Sequence, residues 1–198
     1  LSITEHHKVI VDMGLAAINL IGVIIAIFVG ISLVNKEIER RTIYTIMARP
    51  ISRASFIMGK YLGLALTLFV NMAIMWAVFL LTLWLYHVSI QPSIFQAVAL
   101  IFVEILVVTA IALFFSTFTS TTLSAIFTLG LYVIGHLTAD LRAMVANSDS
   151  GPIKSLVDLL YYLCPNLEML NIKGQAAVGV VAAPEYVMLA SLYGVMYA

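Results

Sequence analysis

The sequence predicts an all-α fold, a polytopic transmembrane helical bundle, on three observations. Hydrophobic residues make up 63% of the 198 and charged residues only 10%, whereas a soluble domain carries about half and about a quarter. Mean hydropathy is +1.09, so too little polar surface remains to dress an exterior facing water. The apolar residues also fall into long runs, and a helix needs roughly 20 residues to cross about 30 Å of hydrocarbon.

The first span is expected at about 9–35, an apolar run interrupted only by Asp12, Asn19 and Ser32. Residues 36–60 then change character, with Lys36, Arg40, Arg41, Arg49, Arg53 and Lys60 close together. The second span is expected at 55–86, followed by a short loop that ends in Pro92. A third covers 94–117. A polar, uncharged Ser/Thr turn at 116–124 leads into a fourth span at 121–141. Residues 142–184 form a mixed loop punctuated by Gly151, Pro152, Pro165, Gly174, Gly179 and Pro184. Within it, Ile153 to Cys164 and Leu167 to Ile172 are too short to cross and are expected to be re-entrant or interfacial. A fifth span begins at 185–198 and reaches only about 20 Å at 1.5 Å per residue. The chain is therefore expected to continue at both ends.

Six of the ten Lys and Arg residues lie in 36–60. Cytoplasmic loops collect such residues, which predicts that 36–60 faces the cytoplasm. Three crossings then put 142–184 on the periplasmic or extracellular side of a bacterial inner membrane. The zero net charge gives no reason to expect nucleic acid. Cys164 stands alone, so neither an internal disulfide nor a cysteine zinc cluster is available.

Residues 36–49 read as a short amphipathic helix lying along the inner membrane face. Glu37 and Glu39 suit its first turn and Arg49 its last, while Ile43, Ile46 and Met47 make an apolar stripe. Pro50 stops it, and Ser52 is placed to cap the helix that begins near Arg53. An ordinary topogenic loop needs only scattered basic residues. This one orders acids, bases and apolar residues at helical spacing, as a surface for a docking partner would.

At these residues the sequence resembles a family. Glu37-Ile-Glu39-Arg40-Arg41-Thr42-Ile43-Tyr-Thr-Ile46, then Arg49-Pro-Ile-Ser-Arg53 and Gly59-Lys60, is similar to the signature loop of type-2 ABC transporter permeases. Phe115-Ser-Thr-Phe-Thr-Ser120 and Cys164-Pro-Asn-Leu-Glu-Met-Leu-Asn-Ile-Lys173 fit the same family. The resemblance implies six spans, with one upstream of Leu1, and a coupling helix at 36–49 seated in a cytoplasmic ABC ATPase. It implies an exporter working as a homodimer or pseudo-dimer within membrane lipid. It also implies an outer gate at Pro165, Asn166 and Glu168. No G-x-x-x-x-G-K-[ST] phosphate loop occurs, because Gly59-Lys60 is followed by Tyr61 and position 54 is Ala. This chain is therefore expected to bind no cofactor and to be no enzyme, with ATP and Mg on the partner ATPase.

Glu104 is the only acid well inside an apolar run, and an ionisable residue at membrane depth is a functional candidate. With Asn71 it is a candidate for the translocation path. The competing account for Glu104 is a protonated carboxyl bonded to a neighbouring helix. For Asn19, Asn71 and His136 it is interhelical hydrogen bonding. His136 and Asp140 share a helix face at i and i+4 and suit a surface ion pair. Glu5, His6 and His7 do not make a metal site, because adjacent histidines point apart. Gly14, Gly22 and Gly30, and Gly59 with Gly63, suit close helix packing at a dimer seam. Trp76 suggests packing, and Trp84 with Tyr86 an interfacial belt.

The alternatives are weaker. An intramembrane hydrolase needs an activated nucleophile, and no G-x-S-x-G occurs. A transporter driven by an ion gradient often shows broken helices or paired midplane charges, and only Glu104 qualifies. A non-catalytic structural membrane subunit is the remaining alternative.

Overall fold

The computed structural model describes residues 3–39, 53–145, 157 and 164–198, and these are helical or in short connections, with no strand among them. Four long helices come first: α1 (Ile3–Glu39), α2 (Arg53–Leu85), α3 (Pro92–Ser116) and α4 (Thr121–Val145). A 3-10 turn (Leu167–Leu170), a short α5 (Lys173–Ala177) and α6 (Pro184–Tyr197) follow. The four long helices are apolar enough to cross a membrane over His6–Ser32, Met58–Leu85, Pro92–Ser116 and Thr121–Thr138. The 14 residues of α6 reach only about 21 Å at about 1.5 Å per residue.

The helix ends follow from local chemistry. Both α3 and α6 start with proline in their first turn, where the missing N–H costs nothing. The uncharged turn after α3 satisfies its own backbone: Ser116 and Thr117 hydroxyls donate to the carbonyls of Leu113 and Phe114, and Thr119 donates to Phe115. Thr119 and Ser124 then join across the turn at 2.6 Å. Helix α5 ends in a Schellman motif, with Val180 N–H on Gln175 O and Gly179 N–H on Ala176 O. Gly179 has φ +79°, which only a glycine adopts freely, and the Gln91 carboxamide fills the space a Cβ would need.

Helix α3 is the hub, touching α1, α2, α4, α5, α6 and the 3-10 turn. Its buried residues, among them Ser93, Ala97, Leu100, Glu104, Val108 and Ala112, share one broad face, while Phe95 and Phe114 stand exposed on the other. The outer faces of the bundle are greasy: Leu62, Leu66, Phe69, Phe114 and Met188 are all more than half exposed. Trp84 and Tyr86 are exposed beside the 86–91 turn, as an interfacial belt requires. Trp76 instead packs edge-on against Phe95 with ring centroids 5.3 Å apart.

Two expectations change. Helix α1 does not end at 35; it runs on through Glu39, so Lys36, Glu37 and Glu39 continue α1 rather than opening a separate helix. A hydrogen-bond ladder is not obliged to stop where the hydrocarbon does. The Gly14, Gly22 and Gly30 stripe is likewise not a free seam. A side chain at Gly14 would meet the Phe79 ring of α2, one at Gly22 the Ile105 side chain of α3, and one at Gly30 would touch Ala112 Cβ at 3.4 Å. The stripe is consumed within the chain, where it lets α1 lie close to α2 and α3. Gly59 and Gly63 meet nothing described within 4 Å.

Candidate functional site

The candidate site lies halfway along α3. Glu104 is 0% exposed and sits twelve residues from either end of that helix. From α1, Asn19 Nδ2 donates to both carboxylate oxygens, at 3.3 and 3.2 Å. From α4, His136 Nε2 lies 3.3 Å from Glu104 Oε1 without hydrogen-bond alignment. His136 Nδ1 is 3.1 Å from the carbonyl oxygen of Tyr132 one turn back, and the Tyr132 ring packs on the imidazole with centroids 4.7 Å apart. Three helices thus converge on one carboxyl group. Asn19 Oδ1 stays without a partner although Asn19 is 2% exposed.

The sequence flagged Asn19, Glu104 and His136 one by one, and the fold brings them together. His136 lies beside Glu104; the side chain of Asp140, its expected partner, lies outside the described residues. Asn71 does not join the cluster. Its Nδ2 donates to Thr67 O of its own helix at 2.9 Å, and it lines a small gap with Ile18, Met72 and Ile105.

Beside the cluster the 164–172 segment packs into the bundle. Leu170 touches the position of Gly194, which itself abuts Val103. Those residues lie ten and eleven positions into α6 and α3, about 15 Å from the helix starts at 1.5 Å per residue. Leu167 and Leu170 are fully buried there. Asn166 N–H donates to Tyr193 Oη of α6 at 2.8 Å, and Pro165 lies against Gly135 of α4. Glu168 accepts from Asn171 Nδ2 at 3.1 Å on both oxygens. Glu168 and Lys173 are within electrostatic reach of Glu104. The strap back to α6 is tied at its far end: Gln96 accepts from Ala182 N–H at 3.0 Å and donates to Ala182 O at 3.2 Å.

Sequence inspection missed Gln96, Tyr132 and Tyr193. A glutamine one turn inside an apolar helix was the available signal, because it has two donors and an acceptor that lipid cannot satisfy. The tyrosines gave none, since an aromatic in a span is ordinary filler.

Two other concavities exist. An apolar groove of about 530 Å³ runs between α1 and α2, lined by Met13, Ala17, Ile74 and Val78 among others. A cavity of about 260 Å³ lies at the 86–91 end near His7, Lys8 and Gln91. Among the described residues no three His, Cys, Asp or Glu side chains group as metal ligands. The predicted ATPase dock falls largely elsewhere: Arg40, Arg41, Thr42, Ile43, Ile46, Arg49, Pro50 and Ser52 lie outside the described residues.

Four lipid-length helices around a buried carboxyl define a multi-pass membrane protein. Residues 2–182 match the family described as ABC-2 family transporter protein, and the chain belongs to that family. It is thus a membrane permease component of an ABC transporter. No curated protein and no solved structure matches it.

Proposed function

We propose that this permease couples ATP hydrolysis on a separate cytoplasmic ABC ATPase to substrate export. The supporting observation is the family match, which runs unbroken across the basic 36–60 segment. In this reading Glu37, Glu39, Arg40, Arg41, Thr42, Ile43, Ile46, Arg49, Pro50, Ser52 and Arg53 form the surface that the ATPase grips. Two permease copies in a bacterial inner membrane sit on two ATPases, with 36–60 cytoplasmic and 142–184 on the opposite side. Glu104 lines the translocation path, with Asn71 as a second candidate, and Pro165, Asn166 and Glu168 form the outer gate. The buried contacts of the 164–172 segment with α4 and α6 support a gate, because they tie it to helices that rocking would displace.

The test is charge reversal, Arg40→Glu with Arg41→Glu, in the permease co-expressed with its partner ABC ATPase. The expected outcome is normal membrane insertion with hydrolysis no longer linked to transport. Normal assembly and turnover in that variant refutes the dock.

A further inference from the structure

His136 has one nitrogen whose proton is dictated by its own helix. Nδ1 stands 3.1 Å from the Tyr132 carbonyl oxygen, and a carbonyl only accepts, so Nδ1 carries the hydrogen. In the neutral ring Nε2 then holds a lone pair. Nε2 lies 3.3 Å from Glu104 Oε1 and makes no hydrogen bond among the described residues. Two acceptors thus stand side by side inside a low-dielectric bundle, where repulsion is least screened. One proton removes the conflict, either as a carboxyl O–H donating to Nε2 or as an imidazolium N–H donating to the carboxylate. The pair is neutral overall in both forms. A second proton would leave the pair with a net positive charge inside the bundle, which burial disfavours.

We propose that Glu104 and His136 form a single-proton site, and that the packing of α1, α3 and α4 around them holds only while one proton is shared. Loss of that proton to water leaves a carboxylate beside a lone pair, and gain of a second leaves a net positive charge, so either change puts an uncompensated charge inside the bundle. Either change drives α3 and α4 apart, so conformational change in this permease is linked to proton uptake or release. Asn19, donating to both oxygens, positions the carboxyl without titrating.

Of the other titratable and charged groups, Tyr132 on α4 packs on the imidazole, and Glu168 and Lys173 on the 164–173 segment are within electrostatic reach of Glu104. Tyr61 donates to Leu106 O at 3.3 Å, and Tyr193 holds Asn166 N–H. All of them are kept in a Glu104→Gln variant, so the difference between wild type and variant isolates the pair.

The experiment uses the purified chain in lipid nanodiscs and needs no ATPase, so it stands or falls apart from the coupling proposal. Ring-15N NMR, with His6, His7 and His87 replaced by Gln, reads the His136 tautomer. Melting temperature is followed across pH for wild type and Glu104→Gln, whose amide N–H donates to Nε2 without a shared proton. The expected result is an Nδ1–H ring or an imidazolium, with a wild-type-minus-variant melting difference that peaks and falls on both sides. A neutral Nε2–H ring, or a difference constant with pH, overturns the proposal. A shift of the His136 signals by stoichiometric Zn2+ also overturns it, in favour of a metal site. Should Glu104→Gln fail to fold, His136→Gln supplies an amide N–H to the carboxylate and gives the same pH readout.

Discussion

Gly135 and Gly130 lie five residues apart on α4 and should respond oppositely to the same methyl group. A Cβ at Gly135 would stand 2.8 Å from the carbonyl oxygen of Pro165 and 3.0 Å from both Cγ and Cδ1 of Leu167. These atoms have nowhere to go. Asn166 N–H is held by Tyr193, Leu167 is 0% exposed, and Gln96 pins the later strap. Overpacking of this kind costs about 1–3 kcal/mol. A Cβ at Gly130 meets nothing within 4 Å, so Gly130→Ala collects only the gain in helix propensity, up to about 1 kcal/mol. That gain is common to both variants and cancels, leaving Gly135→Ala less stable than Gly130→Ala by about 1–3 kcal/mol. At about 2–4 °C per kcal/mol for chains near this length, the two should melt several degrees apart in the same micelle. Hydrogen exchange at 164–172 should rise in Gly135→Ala alone. Equal melting and equal exchange would show that the re-entrant segment does not rest on α4.

Gln96→Ala removes both bonds to Ala182, a loss of about 1–3 kcal/mol at 0.5–1.5 each, read as faster exchange at 178–183. Gly14→Ala should destabilise by about 1–3 kcal/mol through collision with the buried Phe79 ring, whereas Gly30→Ala, in ordinary contact with Ala112, should be neutral or better; thermal melts decide the order. Asn71→Ala should leave stability within about 0.5 kcal/mol, because Asn71 bonds only its own helix. Asn19→Ala should cost about 1–3 kcal/mol by stripping donors from the buried Glu104, again by thermal melt.

Hydropathy located the spans because lipid exposure and apolar composition are the same physical fact. It put the third span at 94–117 and the fourth at 121–141, against helices over Pro92–Ser116 and Thr121–Val145. It failed at the ends of α1, where His6, His7 and Lys8 before the greasy run and Lys36 to Glu39 after it are polar yet still helical. Polarity reports which solvent a turn meets, not whether its backbone is bonded. The buried cluster was half legible. Asn19, Glu104 and His136 each stood out against their surroundings, but 85 residues separate the first two, and their meeting depends on helix azimuth and depth, which spacing within one helix cannot supply. The glycine stripe had the same character: a period of eight names a face, and only packing names Phe79 and Ile105 as what it faces.

The position of Glu104 on α3 explains why a single acid carries so much of the argument. On a peripheral helix such as α2, whose Leu62, Leu66 and Phe69 face outward, an acid has the option of turning toward an interface or snorkelling to water. Helix α3 touches every other described element and carries Glu104 on its buried face, so this carboxyl has only the partners its neighbours bring. Those partners come from α1 and α4, with the re-entrant segment within electrostatic reach. Any motion that slides one of these elements along α3 must therefore change the donors around Glu104. In the proposed rocking cycle this carboxyl would need different protons in different states, which would put the cluster among the moving parts rather than in the scaffold.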